Sequence, residues 1–361
     1  MVPASRPDSR AGTPGPSYQV KSADPHAGRE QALAAWCEGG LGGNQAGDLA
    51  QLRYDWFYLR NPQGKARLNL LFTSEATLAG SLGIGCRGFH IGGEAALAGV
   101  LIDFVVSPRH RTALPALTLQ RKGREYALQS MDLVYGLPNP NALGICKRLA
   151  THVWLEFERL ARVLRYCTYI ERLLPKLLAA PAALIVDALD LLRIRARLLP
   201  SKVRGDWVTG FDESFDSLWA ELDKRDLCIG TRDRQFLQWR FSEHPGNSYQ
   251  TFAVRRKSDA KLRMYFICHR SGELLSVDDC LGVGSDRELE QGVLLLCLAA
   301  RKLGAASLDV SITGATPLHR ALLRTNFKIR EKRPFFAVIG QTLQAVAGQC
   351  TWYVTRADED T

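Results

Sequence analysis

The stretch that decides the fold runs from Val100 to Leu149: VLIDFVVSPRHRTALPALTLQRKGREYALQSMDLVYGLPNPNALGICKRL. Val100–Val106 is an apolar run broken only by Asp103, the pattern of a central strand buried on both faces. Ser107-Pro108-Arg109-His110-Arg111-Thr112 ends that run and brings two arginines and an imidazole to the start of a helix. Pro115 suits a first helical turn, whose N–H groups have no intrahelical partner. A helix N-terminus beyond a central strand, flanked by arginines, is a place where a phosphate binds. Met131–Gly136 reads as the neighbouring strand, and Asn139-Pro140-Asn141 as the turn into the next helix.

This order of elements and residues resembles the core of the GNAT acyltransferase superfamily. Those proteins show V-x-P-x-x-R-x-x-G-x-G/A after one strand and an Asn-headed helix after the next. Val106, Pro108, Arg111, Leu114 and Ala116 keep the first frame, with leucine where the first glycine of the pair usually stands. Asn139, Ala142, Arg148 and Leu149 keep the second; Cys146 occupies the place of the usual Tyr, and Ala150-Thr151 that of the usual Gly-Phe. The resemblance implies an acyl-CoA, acetyl-CoA or a relative, as donor substrate and no metal. It implies a pyrophosphate cradle at Thr112, Ala113, Leu114 and Ala116, with Val106, Arg109, Arg111 and Asn139 completing the cofactor site.

Composition limits the classes open to the chain. Its 361 residues suffice for two ordinary domains, and 46% hydrophobic with 23% charged residues is globular. A formal charge of +10 favours anionic partners such as nucleotide cofactors, acidic glycans, nucleic acid or lipid head groups. Nine cysteines without a C-x-x-C pair fit neither a zinc cage nor a disulfide framework, and read as reduced thiols of a cytoplasmic protein. The seven histidines are scattered, so no metal site is expected. Residues 1–28 read as a disordered leader without a signal peptide's apolar segment.

Beyond the leader, Gln31–Cys37 reads as a short helix, and Leu68–Phe72 with Leu78–Ile84 as a hairpin. Residues 85–99 read as a Gly/Ala-rich passage. The second half echoes the first: YDWFYLRNPQG (54–64) returns as FLQWRFSEHPG (236–246), each Trp six residues before its Pro. Strand-like runs follow at Arg263–Cys268 and Leu274–Leu281, then a helix over Asp286–Leu303, a strand at Ser307–Ile312 and a helix ending at Asn326-Phe327. The same element order twice implies a duplication.

The expected fold is therefore α/β, two tandem GNAT-like domains, each a mixed, mostly antiparallel sheet flanked by helices. The domains are set at 29–170 and 205–345, joined by an amphipathic helical linker at 171–204 and followed by a C-terminal tail at 346–361. The tandem order also resembles Fem-type aminoacyl transferases and double-domain GNAT proteins of bacterial polysaccharide and cell-envelope pathways. That likeness implies a small-molecule or glycan-precursor acceptor lying between the domains. In the second copy, Gly282-Val283-Gly284-Ser285-Asp286 offers no arginine and places Asp286 as N-cap, so this domain is expected not to hold acyl-CoA.

In the linker, Leu177, Leu184, Leu191 and Leu198 recur at steps of seven, as do Leu178, Ile185, Leu192 and Leu199; RIRARLLPSKVR then carries five basic residues and no acid. Two readings stand: an amphipathic helix over 181–204 on an anionic membrane at the inner face, or a helix packed in the groove between the domains. The second is the expectation.

Acyl transfer needs a base for the attacking amine or hydroxyl and a proton donor for the departing thiolate. Asp103 and His110 are the base candidates, and Cys146 the donor candidate. Each has a plainer reading, a structural strand Asp or a core thiol among them. Aromatics interleave with arginines in both repeats, yet no nucleic-acid signature is present and the matched tryptophans read as core of each domain. The expected function is acyl-CoA-dependent N-acyltransfer; the alternative is a non-catalytic GNAT-like binding or scaffold protein.

Overall fold

The computed structural model describes residues 17–41, 47–171, 175–199, 201–314 and 316–359. The first half reads β1 (Tyr18–Ala23), α1 (Arg29–Gly39), α2 (Asp48–Tyr54) continuing into a π-helical turn at Asp55–Leu59, β2 (Arg67–Thr73), β3 (Leu78–Ile91), β4 (Glu94–Val106), α3 (Ala113–Leu128), β5 (Leu133–Gly136), α4 (Pro140–Cys146) and β6 (Val153–Val163). Two helices intervene, α5 (Cys167–Ile170) and α6 (Lys176–Leu198). The second half follows with β7 (Val203–Val208), α7 (Glu213–Glu221), β8 (Leu227–Gly230), α8 (Arg234–Leu237) continuing into a π-helical turn at Gln238–Ser242, β9 (Gln250–Arg256), β10 (Leu262–Ser271), β11 (Leu274–Gly282), α9 (Asp286–Lys302), β12 (Ser307–Thr313), α10 (Pro317–Arg324), β13 (Lys328–Ile339), α11 (Gln344–Ala347) and β14 (Thr351–Tyr353). From β1 to β6 and from β7 to β13 the order repeats, the π-turn before the hairpin included, except that β8 is inserted between the two leading helices of the second half.

Three sequence expectations change. Tyr18–Ala23 is no part of a disordered leader: it pairs antiparallel with β2 along its whole length, while residues 1–16 lie outside the described ones. Residues 85–99 are strand: β3 and β4 pair from Gly80↔Val106 to Ile91↔Glu94. The glycines that disguised this hairpin are needed for packing. A Cβ on Gly83 would stand 1.9 Å from the Tyr58 hydroxyl and one on Gly85 2.3 Å from the Phe57 ring, and Gly92 and Gly93 turn the hairpin at φ 63° and 89°. Of the expected tail at 346–361, residues 346–359 are no tail, since Trp352 to Ala357 are largely buried and β14 pairs with β8, while 360–361 lie outside the described residues.

The two halves share one 14-stranded sheet, in which the order β4-β5-β13-β6-β12-β11 crosses the middle. The last strand of each half has changed sides: β13 pairs with β5, β6 with β12, and the exchanged strands with each other, all antiparallel. The segments 29–170 and 205–345 are thus not separable sheets. On β2, Leu70 joins the cluster that holds Trp36 of α1, and its neighbour Leu71 the cluster that holds Leu119 of α3, as strand alternation requires. The tryptophans of the repeat do not fill one domain core each. Trp56 and Trp239 stack on each other at 4.8 Å, and each indole N–H donates to the other's backbone carbonyl, at 2.9 and 3.1 Å. A duplicated residue meeting its own copy marks the internal two-fold.

Candidate functional site

In the first half, β4 and β5 pair only at Ala98↔Leu133, Gly99↔Val134 and Val100↔Tyr135. Beyond Val100 the two strands part. The β3–β4 register slips between Ser81 and Gly83, and Asp103 takes a left-handed backbone at φ 48°. The parted strands leave a cleft of about 120 Å³ lined by Leu101–Phe104, Gln120, Gly136–Asn139, Ala142, Cys146 and Phe336. Asp103 of β4 is thereby brought to the same cleft as Cys146 of α4 and that helix's N-cap, Asn139.

The candidate base is committed elsewhere. Asp103 accepts from Arg53 Nη1 at 2.8 Å and from the Tyr58 hydroxyl at 2.9 Å, and burial with the adjacent carboxylate pushes the Tyr58 phenol well above its ordinary range. Both oxygens of the Asp103 carboxylate are thus already engaged by donors. His110 does not line the cleft; its Nδ1 lies 3.2 Å from the Tyr18 hydroxyl of β1. Cys146 is buried in the cleft wall. Burial pushes its thiol up, and Arg124 pulls the other way. A protonated thiol can donate a proton but is no nucleophile.

Arg124 is the residue that sequence reading missed. It is buried, stacks over the Phe336 ring at 4.5 Å and donates through Nη1 to the Ala150 carbonyl at 3.4 Å; Nε and Nη2 have no partner among the described residues. Desolvation lowers its pKa. Gln120, one helical turn before it on α3, lines the cleft with an Oε1 that has no partner among the described residues. Their spacing of four placed both on one face of α3, but nothing in the sequence distinguished that face from solvated arginines.

Past the cleft-lining residues Leu101–Phe104, Val106 ends β4 and Pro108–His110 form a 3₁₀ turn. Thr112 precedes α3 with extended backbone, and no side chain caps that helix. First-turn N–H groups without a cap are free for an anion. Arg109 is exposed; Arg111 folds back, its Nη2 donating to Gly39 O at 3.0 Å. The leucine in the glycine place stands 56% exposed, so its side chain points to solvent. Asn139 caps α4, its side chain accepting from Ala142 N at 2.9 Å, which leaves only its amide N–H₂ for a ligand.

The equivalent places in the second half are filled. Ser285, not Asp286, is the N-cap of α9, and it forms a capping box with Glu288; Asp286 pairs with Arg324. Strands β11 and β12 pair only as far as Val277↔Val310. Past that point the C-terminal segment enters: Arg356 reaches Asp278 at 3.2 Å and Ser311 Oγ at 3.2 Å, and Val354 bonds to Thr313. Its end is clamped between the halves. Asp358 pairs with Arg87 at 2.9 Å and Arg232 at 2.6 Å, Arg232 pairs with Asp279 at 3.0 Å, and Arg240 donates to the Ala357 and Glu359 carbonyls. A larger groove of about 620 Å³ at β7 and β9 has no acidic, basic or cysteine side chain in its lining. Among the described residues no cluster of His, Cys, Asp or Glu is arranged to hold a metal.

No protein-family model matches the sequence, and no curated protein does. Solved structures match in fold. A GCN5-related N-acetyltransferase from Anabaena variabilis superposes with TM-score 0.61 at 11% identity, covering 91% of this chain and 74% of that one. A tandem GNAT protein from the clavulanic acid biosynthesis pathway gives 0.53 at 11% identity, over 90% and 98%. N-myristoyltransferase of Saccharomyces cerevisiae, with bound myristoyl-CoA, gives 0.50 at 11% identity, over 89% and 82%. The chain has the GNAT fold, in its two-domain form.

Proposed function

We propose that the protein transfers an acyl group from acyl-CoA to an amine or hydroxyl, with the donor held by the first half alone. The observation that carries this reading is the contrast between two equivalent helix starts. The start of α3 is uncapped and flanked by Arg109 and Arg111, on the helix whose Gln120 lines the β4–β5 cleft; the start of α9 is self-capped and acidic, and Arg356 enters where β11 and β12 part. Only the first arrangement suits a pyrophosphate with its thioester arm.

In this reading the N–H groups of Ala113 and Leu114 and the arginines hold the phosphates, and the acyl end enters between β4 and β5. A cleft of about 120 Å³ suits a short acyl group such as acetyl, since ligand pockets for larger molecules run to several hundred Å³. The acceptor nitrogen or oxygen attacks the thioester carbon, the C–S bond breaks, Cys146 protonates the departing thiolate, and the proton shed by the acceptor passes to bulk water, which reprotonates Cys146. Asp103, held by Arg53 and Tyr58, positions the acceptor. The resemblance to cell-envelope acyltransferases suggests a sugar or glycan-precursor acceptor. One observation favours a second reading, a CoA-binding module without turnover: Asp103 and His110 are both already engaged.

Calorimetric titration with acetyl-CoA tests the proposal. Binding is expected, with Arg111→Ala weakening it about tenfold through loss of one charge-assisted phosphate contact. Absence of binding at millimolar acetyl-CoA would overturn it, and binding without thioester cleavage in the presence of amine acceptors would favour the second reading.

A further inference from the structure

The linker helix α6 packs against both halves, on β6 and α9, but not through its leucine stripe. Its inward face is the polar and small-residue one. Ala179, Ala183, Asp190 and Ile194 are buried, Asp190 pairs with Arg162 at 2.8 Å, and Asp187 pairs with Arg301 at 3.4 Å. The stripe of Leu178, Ile185, Leu192 and Leu199 points outward, with exposures from 59% to 85%. The parallel stripe divides, Leu184 being exposed and the side chain of Leu177 lying outside the described ones. Leu184, Val186 and Leu189 widen the outward apolar face further.

We propose that this face docks onto the surface of a bilayer containing anionic phospholipid. Charge decides between this occupant and a second copy of the chain. The helix's two acids, Asp187 and Asp190, are both turned inward, and Arg193 and Arg195 are exposed with no ion-pair partner among the described residues. Lys202 and Arg204, both exposed, extend the basic run. Two copies packed through this stripe would bring arginines together with no carboxylate on the face to answer them, whereas anionic head groups answer all of them. The breadth of the apolar face also exceeds a two-row coiled-coil seam and matches a helix lying in an interface. No described helix is long and apolar enough to cross a membrane, so the contact is peripheral.

The test is co-sedimentation of the full chain with vesicles of phosphatidylcholine alone or mixed with phosphatidylglycerol, alongside light scattering of the protein by itself. Binding is expected to the mixed vesicles only and to weaken as salt is raised. The pair Arg193→Gln and Arg195→Gln is expected to lower partitioning about thirtyfold, at roughly fivefold per basic residue. Ile185→Glu with Leu192→Glu, both on exposed positions, is expected to lower it by at least about a hundredfold. Equal binding to both vesicle types, or none to either, would overturn the proposal. So would a concentration-dependent dimer dissolved by Ile185→Glu in a chain that ignores vesicles, which would give the face to a second copy.

Discussion

At the scale of single residues, this chain uses buried charge where a surface role was the natural reading. Arg87, Arg232 and Arg240 are all buried against carboxylates or carbonyls, so part of the +10 charge never meets solvent. Cys146 follows the same rule for thiols. Burial raises its pKa, so iodoacetamide should alkylate it at least about tenfold more slowly than the exposed Cys37, as site-resolved mass spectrometry can follow. Comparable rates would mean the cleft wall opens readily. His269 offers a second readout. Its Nδ1 lies 2.5 Å from Asp278, and that hydrogen bond raises its pKa. Folding therefore favours the imidazolium; the stabilisation is complete below the unfolded value of about 6.5 and disappears as pH rises through the higher folded value. An NMR titration should show the His269 ring protonated above that unfolded value, and Asp278→Asn should abolish the shift.

At the scale of elements, capping separates the two halves more sharply than the strands do. Ser285 spends its hydroxyl on Glu288 N, whereas Thr112 caps nothing. Ser285→Ala should cost about 1 kcal/mol in urea unfolding, and Thr112→Ala close to nothing. Equal losses would mean that the α3 start is satisfied after all, and the anion site would lose its basis. Much of this level was legible in advance. The strand–turn–helix of 100–128, the Asn139 cap and the β10–β11–α9–β12 order all follow from apolar period and local turn chemistry, which are short-range signals. The β3–β4 hairpin was not, because Gly83 and Gly85 look like loop residues until Phe57 and Tyr58, more than twenty positions away, claim the space above them. Strand β1 was lost in the same way: YQVKSA gains its reason only from β2, some fifty residues on.

At the scale of the whole molecule, the duplication was readable from the Trp–Pro repeat, but its use was not. No local pattern announces that β6 and β13 change sides, that Trp56 stacks on Trp239, or that Arg356 enters the second cleft, since each is a pairing over 78 positions or more. These features make the halves one cooperative unit, held at its centre by Arg232 between Asp279 and Asp358, all three without appreciable exposure. Asp358→Asn keeps the shape but leaves Arg87 and Arg232 short of a counter-charge, and should cost about 3–5 kcal/mol. The same carboxylate sets an acid limit. Burial works to raise its pKa, Arg232 and Arg87 outweigh burial, and the net shift is downward. A lowered folded pKa gives stability that is present above the unfolded value of about 3.9 and is lost as pH falls through the folded one. Urea midpoints measured from neutral pH down to the acid limb should therefore fall steeply only below about pH 4, and Asp358→Asn should remove part of that fall. An unchanged acid limb in the variant would mean that the C-terminal clamp does not hold the two halves together.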